Sequence, residues 1–195
     1  MDAARRITHF TEDEYLAREL VSPTKHEYVH GEIFAMAGTR FRHNTIAASA
    51  ASALLALTRG KPCRVFTSDQ RLSVSATGMF TYPDAGVVCG PPVLHPKDGM
   101  SLQNPLLLVE ILSPSTAAYD RGEKLGHYRR LPSLTDVLLV WQSEPWVEHH
   151  HRVDGNGWLI QEHKEGRIEL SALGGALALE ELYAQVDWSD QATAD

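Results

Sequence analysis

At 195 residues, with 43% hydrophobic and 22% charged side chains, the chain is long enough to bury one proper core and is read as a single domain over 1–188, with a disordered tail over 189–195. No apolar run approaches a membrane span, and the opening MDAARRITHFTEDEYL lacks the apolar segment of a secretory signal, so a cytoplasmic location without membrane contact is expected. The net charge of −7, from 18 basic and 25 acidic residues, argues against a strong non-specific nucleic-acid binder, while leaving room for an enzyme that acts on DNA through a local cation.

Taken in chain order, TEDEYLAREL opens with Thr11 as an N-cap and Glu14 three residues on, a capping box before a short helix. HEYVHGEIFAMAG places a His-Gly step between two alternating runs and predicts a hairpin. From His43 to Leu57, Ile46, Ala47, Ala50, Ala53, Leu54 and Leu57 recur at helical spacing, with Asn44 as the expected N-cap and an alanine-rich face suited to close packing on a sheet. PCRVF, QRLSVSA and FTYPDAGVVC read as three strands, followed by a proline- and glycine-rich loop over Gly90–Asn104. Cys63 and Cys89 lack CxxC spacing and predict neither a disulfide framework nor a zinc site.

LLLVEIL is a continuous apolar run of strand length, as expected for a strand covered on both faces. SPST turns the chain, with Ser113 or Ser115 capping, into a helix over AYDRGEKLGHYRRL that stops before Pro132. DVLLVWQ, WVEHHHRV and GWLIQEH complete the sheet. The pattern predicts an α/β (α+β) fold: a mixed central sheet flanked by helices, with an N-terminal helix and β-hairpin.

Two residues do not fit their surroundings. Asp84, after Pro83, and Glu110 are each the sole acid in a hydrophobic strand, where a carboxylate is costly unless paired or bound to a metal. If the two strands lie side by side, both carboxylates converge at one end of the sheet. Such a pair suits Mg²⁺, which takes one or two protein carboxylates and completes its shell with water and substrate phosphate. Phosphodiester chemistry also calls for a cationic side chain, and Lys124 is the candidate. Asp120 four residues before it and Tyr128 four after share its helix face.

These residues and their order resemble the Uma family, restriction-endonuclease-like members of the PD-(D/E)XK nuclease superfamily. EYLARE, KHEYVHGEIFAMAG, RHNTIA, PCRVFTSD, YPDAGVVC, VEILSPST, DRGEKLGHYR and PSLTDVLLV carry the resemblance over nearly the whole chain. It implies a restriction-endonuclease-like core, a Mg²⁺ (or Mn²⁺) site and hydrolysis of DNA phosphodiester bonds. By position Asp84 is the motif aspartate and Glu110 the motif glutamate, with the Ile111 carbonyl as a further metal ligand. The superfamily's simplest pattern puts a lysine two residues after the glutamate, where this chain has Leu112, and the resemblance moves that role to Lys124. Glu27 matches an N-terminal glutamate that often joins such sites. Cleavage of both strands implies a homodimer. The alternative is a nuclease-like module that binds DNA or protein without cutting.

The run His149–His151 invites a zinc reading, since His149 and His151 share one strand face, but an exposed strand run is preferred. Trp141, Trp146 and Trp158 are assigned to packing, Gln142 to the neighbourhood of the site, and His43 to a structural or substrate-facing role. No GxSxG motif supports a serine nucleophile.

Overall fold

The computed structural model describes residues 9–36, 38–154 and 157–189. Its centre is a six-stranded mixed sheet in the order β10-β9-β8-β7-β6-β3. These strands are β3 (Cys63–Thr67), β6 (Ala85–Cys89), β7 (Leu107–Leu112), β8 (Asp136–Trp141), β9 (Val147–Arg152) and β10 (Trp158–His163). Only β7 and β8 run parallel, joined by the helical segment between them, so the sheet is mixed as expected.

One face packs on α2 (Phe41–Thr58), whose Ile46, Ala50, Ala53 and Leu54 are buried against Val87, Val109 and Leu138. The alanines let the helix lie close to the sheet. The hairpin of β11 (Arg167–Leu170) and β12 (Gly175–Ala178), with α5 (Leu179–Tyr183), extends this layer. The sequence reading had no element for either.

The other face of the six-stranded sheet is covered by a four-stranded antiparallel sheet, β2-β1-β5-β4. It holds β1 (His26–Val29), β2 (Glu32–Ala35), β4 (Leu72–Val74) and β5 (Met79–Thr81). The expected hairpin is present: His30 and Gly31 both have positive φ, the geometry of a tight two-residue turn. Helix α1 (Glu12–Val21) starts with the capping box of Thr11 and Glu14, also as expected, and buries Tyr15 against Tyr28 and Phe80.

Four expectations are corrected. FTYPDAGVVC is two strands rather than one: β5 ends at Thr81 in the four-stranded sheet, and β6 begins at Ala85 in the six-stranded sheet. They read as one run because β5 and β6 are both buried. Helix α2 begins at Phe41 rather than at Asn44, whose side-chain oxygen is occupied by the Thr39 hydroxyl. Cys63 and Cys89 are directly opposed on β3 and β6 and joined by a disulfide. His149 and His150 are buried rather than exposed, because β9 lies inside the sheet and both its faces are covered. Of the tail expected over 189–195, only Ser189 is among the described residues.

Candidate active site

The chain crosses from one sheet to the other through Tyr82–Asp84, and this crossing places Asp84 at the seam. Pro83 has no N–H to contribute to either ladder. The ladder of β6 with β7 ends at Ala85–Val109, and beyond it the Ile111 N–H donates to Asp84 Oδ2 at 2.7 Å. A buried N–H needs such an acceptor, so the carboxylate takes over where the strand pairing stops. His43, from the first turn of α2, puts Nε2 3.4 Å from the same oxygen. Gly86 makes the approach possible: a Cβ there would lie 2.3 Å from Phe66 Cζ and 2.8 Å from the Leu107 carbonyl oxygen.

Glu110 is buried in the middle of β7, facing the four-stranded sheet. Opposite it runs a helical segment of three parts: α3 (Ala117–Tyr119), a π-turn (Asp120–Lys124) and α4 (Leu125–Tyr128). A π-turn inside a helix often marks a functional site. Lys124 is 5% exposed, and its Nζ lies 3.0 Å from Glu110 Oε1, 3.0 Å from Glu27 Oε1 and 3.6 Å from Asp120 Oδ1. The Tyr128 hydroxyl donates to Glu110 Oε1, and the Thr81 hydroxyl donates to Glu27 Oε1. Glu27 comes from β1, Thr81 from β5, Glu110 from β7, and Lys124 from the helical segment. Two sheets and a helix therefore meet on one ammonium.

The charges do not balance. Glu27, Glu110 and Asp120 put three buried carboxyl groups on one lysine, and Asp84, beside His43 and tied to the Ile111 N–H, adds a fourth acid next to Glu110. Burial pushes Glu110 up to about 8, with Asp84 and Asp120 adding to the rise and Lys124 and Tyr128 opposing it. Burial also raises Asp120 above the usual carboxylate range, with Lys124 and Thr116 opposing and Glu27 and Asp84 adding to it. For Lys124 burial acts downward, but the surrounding acids Glu110, Glu27 and Asp120, together with Tyr128, hold it well above an ordinary lysine. Its neighbours favour the charged ammonium.

An additional positive ion fits this donor set. Glu110 Oε1 is taken by Tyr128 and Lys124, and Asp84 Oδ2 by Ile111, so each carboxylate has a second oxygen outside those contacts. Two carboxylates with water and phosphate match what Mg²⁺ takes. Among the described residues, the groups of three converging ligand side chains lie elsewhere, at His30, Glu123 and His127 and at Asp136, His149 and His151.

Of the residues singled out in the sequence, Glu27, Glu110 and Lys124 are thus brought into direct contact, and Asp84 is tied to the backbone next to Glu110. Leu112, two residues after Glu110, is buried in the core. Asp120 and Tyr128 do share the Lys124 face, while Thr81 was not anticipated and His43 had no assigned partner. Ser113 Oγ accepts from the Thr116 N–H at 3.2 Å, in line with a turn-capping role. Trp141 and Trp146 stack on each other with centroids 4.6 Å apart, and Trp158 lies beneath Arg129 and Arg152, in keeping with packing. Gln142 is buried with its side-chain oxygen unpartnered. On β9, His149 and His151 are held by Asp136, whose Oδ1 lies 2.7 Å from His149 Nε2 and 2.8 Å from His151 Nδ1.

Comparison with known proteins agrees with this architecture. A structure from Anabaena variabilis ATCC 29413, described as a "putative nuclease belonging to DUF820", superposes with a TM-score of 0.71 at 18% identity, covering 90% of this chain and 98% of that one. Two uncharacterized proteins of Synechocystis sp. (strain ATCC 27184 / PCC 6803 / Kazusa) are similar in sequence. One, slr1290, is 35% identical over 175 residues, covering 88% of this chain and 90% of its own. The other, sll1609, is 37% identical over 153 residues, covering 78% and 86%. The family described as "Uma2: Putative restriction endonuclease" matches residues 12–181, and with these likenesses it follows that the chain belongs to the Uma2 family.

Proposed function

We propose that the protein is a Mg²⁺-dependent (or Mn²⁺-dependent) endodeoxyribonuclease that hydrolyses DNA phosphodiester bonds through a PD-(D/E)XK-type site. The observation that carries this reading is the set of three buried carboxyl groups on one lysine, with Asp84 tied to the backbone beside Glu110. A pocket so charged favours a hard divalent cation, and a phosphodiester is the substrate whose reacting oxygens such a cation serves.

Asp84, Glu110 and the backbone carbonyl of Ile111 would hold the ion. When bound, it polarises a phosphoryl oxygen and favours hydroxide at neutral pH. Lys124 contributes a fixed positive charge and N–H donors toward the charge that develops on the phosphoryl oxygens. Because its neighbours keep it protonated, it does not act as a general base. Glu27 and Asp120 position the ammonium, Tyr128 orients Glu110, and Ile111 orients Asp84. Cutting both strands of a duplex calls for two such sites, hence a symmetric dimer.

Incubating the purified protein with supercoiled plasmid, with and without Mg²⁺ or Mn²⁺, tests the proposal. Metal-dependent nicking is expected. It should vanish in Asp84→Asn, which keeps an acceptor for the Ile111 N–H and removes only the charge. Lack of nicking with either metal overturns the nuclease reading, and a mobility shift of the DNA under those conditions would identify a binding module.

A further inference from the structure

A second group of ligand-bearing side chains lies beside the Lys124 pocket. His30, at the tip of the β1–β2 turn, faces Glu123 and His127 on the helical segment. His30 Nε2 is 3.6 Å from Glu123 Oε1, and His127 Nε2 is 3.9 Å from that same oxygen. These separations are too long for hydrogen bonds. They are close to the roughly 3.3–3.5 Å between ligand atoms around a tetrahedral ion with bonds of about 2.0–2.2 Å.

The protons are arranged for such an ion. Thr77 Oγ1 lies 2.8 Å from His127 Nδ1 and 3.4 Å from the Val74 carbonyl oxygen. With Nδ1 as donor to Thr77, the lone pair of Nε2 is directed toward Glu123. A metal-bound histidine is usually fixed in this way through its other nitrogen. Side-chain exposures of 68% for His30 and 51% for Glu123, against 7% for His127, give an ion a path in and leave room for water as a fourth ligand.

The other histidine group is of a different kind. Asp136, His149 and His151 are already joined by hydrogen bonds of 2.7 and 2.8 Å, and Asp136 and His149 are fully enclosed. That arrangement closes on itself.

We infer that His30, Glu123 and His127 form a binding site for a divalent transition metal of the zinc type, distinct from the carboxylate pocket. The imidazole-rich donor set selects such an ion over Mg²⁺. Glu123 directly precedes Lys124, so the bound ion ties the hairpin turn to the segment that carries the buried lysine.

The test is zinc binding to the full chain carrying Asp84→Asn, so that an ion in the carboxylate pocket is not counted, in competition with a chromophoric chelator. One equivalent of Zn²⁺ is expected. His30→Asn, which tolerates the left-handed backbone at that turn, and Glu123→Gln should each weaken binding about tenfold or more, and so should Thr77→Val through His127. His151→Gln should leave it unchanged. Absence of stoichiometric zinc binding overturns the inference, as does binding that survives His30→Asn and Glu123→Gln or that is lost with His151→Gln.

Discussion

Lys124 is the residue on which the pocket turns, because among the described residues it is the one cation in direct contact with Glu27, Glu110 and Asp120. Removing one partner from a buried ion group leaves charge uncompensated, at a cost of about 3–5 kcal/mol. Lys124→Ala is therefore expected to lower the unfolding free energy by about that amount in urea titrations at neutral pH. A loss below about 1 kcal/mol would show that the acids do not depend on it. Asp84, Glu110 and Lys124 were legible in the sequence for local reasons: two acids alone in apolar runs, and a lysine with Asp120 and Tyr128 at four-residue spacing. His43 and Thr81 were not. They reach the site through α2 and the sheet-to-sheet crossing, which no local spacing encodes.

The crossing and the π-turn are the elements that build the site. Apolar residues on both sides of Pro83 read as one buried strand, and only the separate partners of β5 and β6 reveal two. Gly86 then lets β6 run between β3 and β7 close to Phe66. Gly86→Ala should destabilise the protein by about 1–3 kcal/mol and lower nicking with it, as an added methyl forces the strands apart. Unchanged stability and nicking would mean that Phe66 yields freely and Asp84 keeps its place. The π-turn has no sequence signature, so a regular helix was expected there. The wider turn takes up one extra residue between α3 and α4.

On the scale of the molecule, the six-stranded sheet buries groups that composition alone would place in water. A His-rich run reads as solvent-facing, and here cross-strand Asp136 and neighbouring Arg129 make its burial possible. Arg129 donates to His150 Nδ1 at 3.0 Å, which fixes a neutral imidazole. Burial, then the positive charges of Arg129, His149 and Arg121, push His150 down to about 4 from 6.5. Between those values the unfolded chain holds the proton and the folded chain does not. Stability from this group is therefore complete above about 6.5 and is lost as the pH falls toward about 4. The urea midpoint should decline across this window in the parent chain and less steeply in His150→Gln. Equal slopes would show that His150 takes its proton while folded. The hairpin and the mixed sheet were legible in the sequence. The Cys63–Cys89 bond was not, because only the register of β3 on β6 brings the two together.

The central claim is that the acid-rich pocket around Lys124 takes a divalent cation, and Mn²⁺ binding followed by electron paramagnetic resonance addresses it most directly. With His30→Asn in the background so that the imidazole site is not counted, the account predicts one saturable Mn²⁺ site that Mg²⁺ displaces and that is lost on adding either Asp84→Asn or Glu110→Gln. Saturable binding that persists in both variants, or no saturable binding in the parent protein, would contradict it.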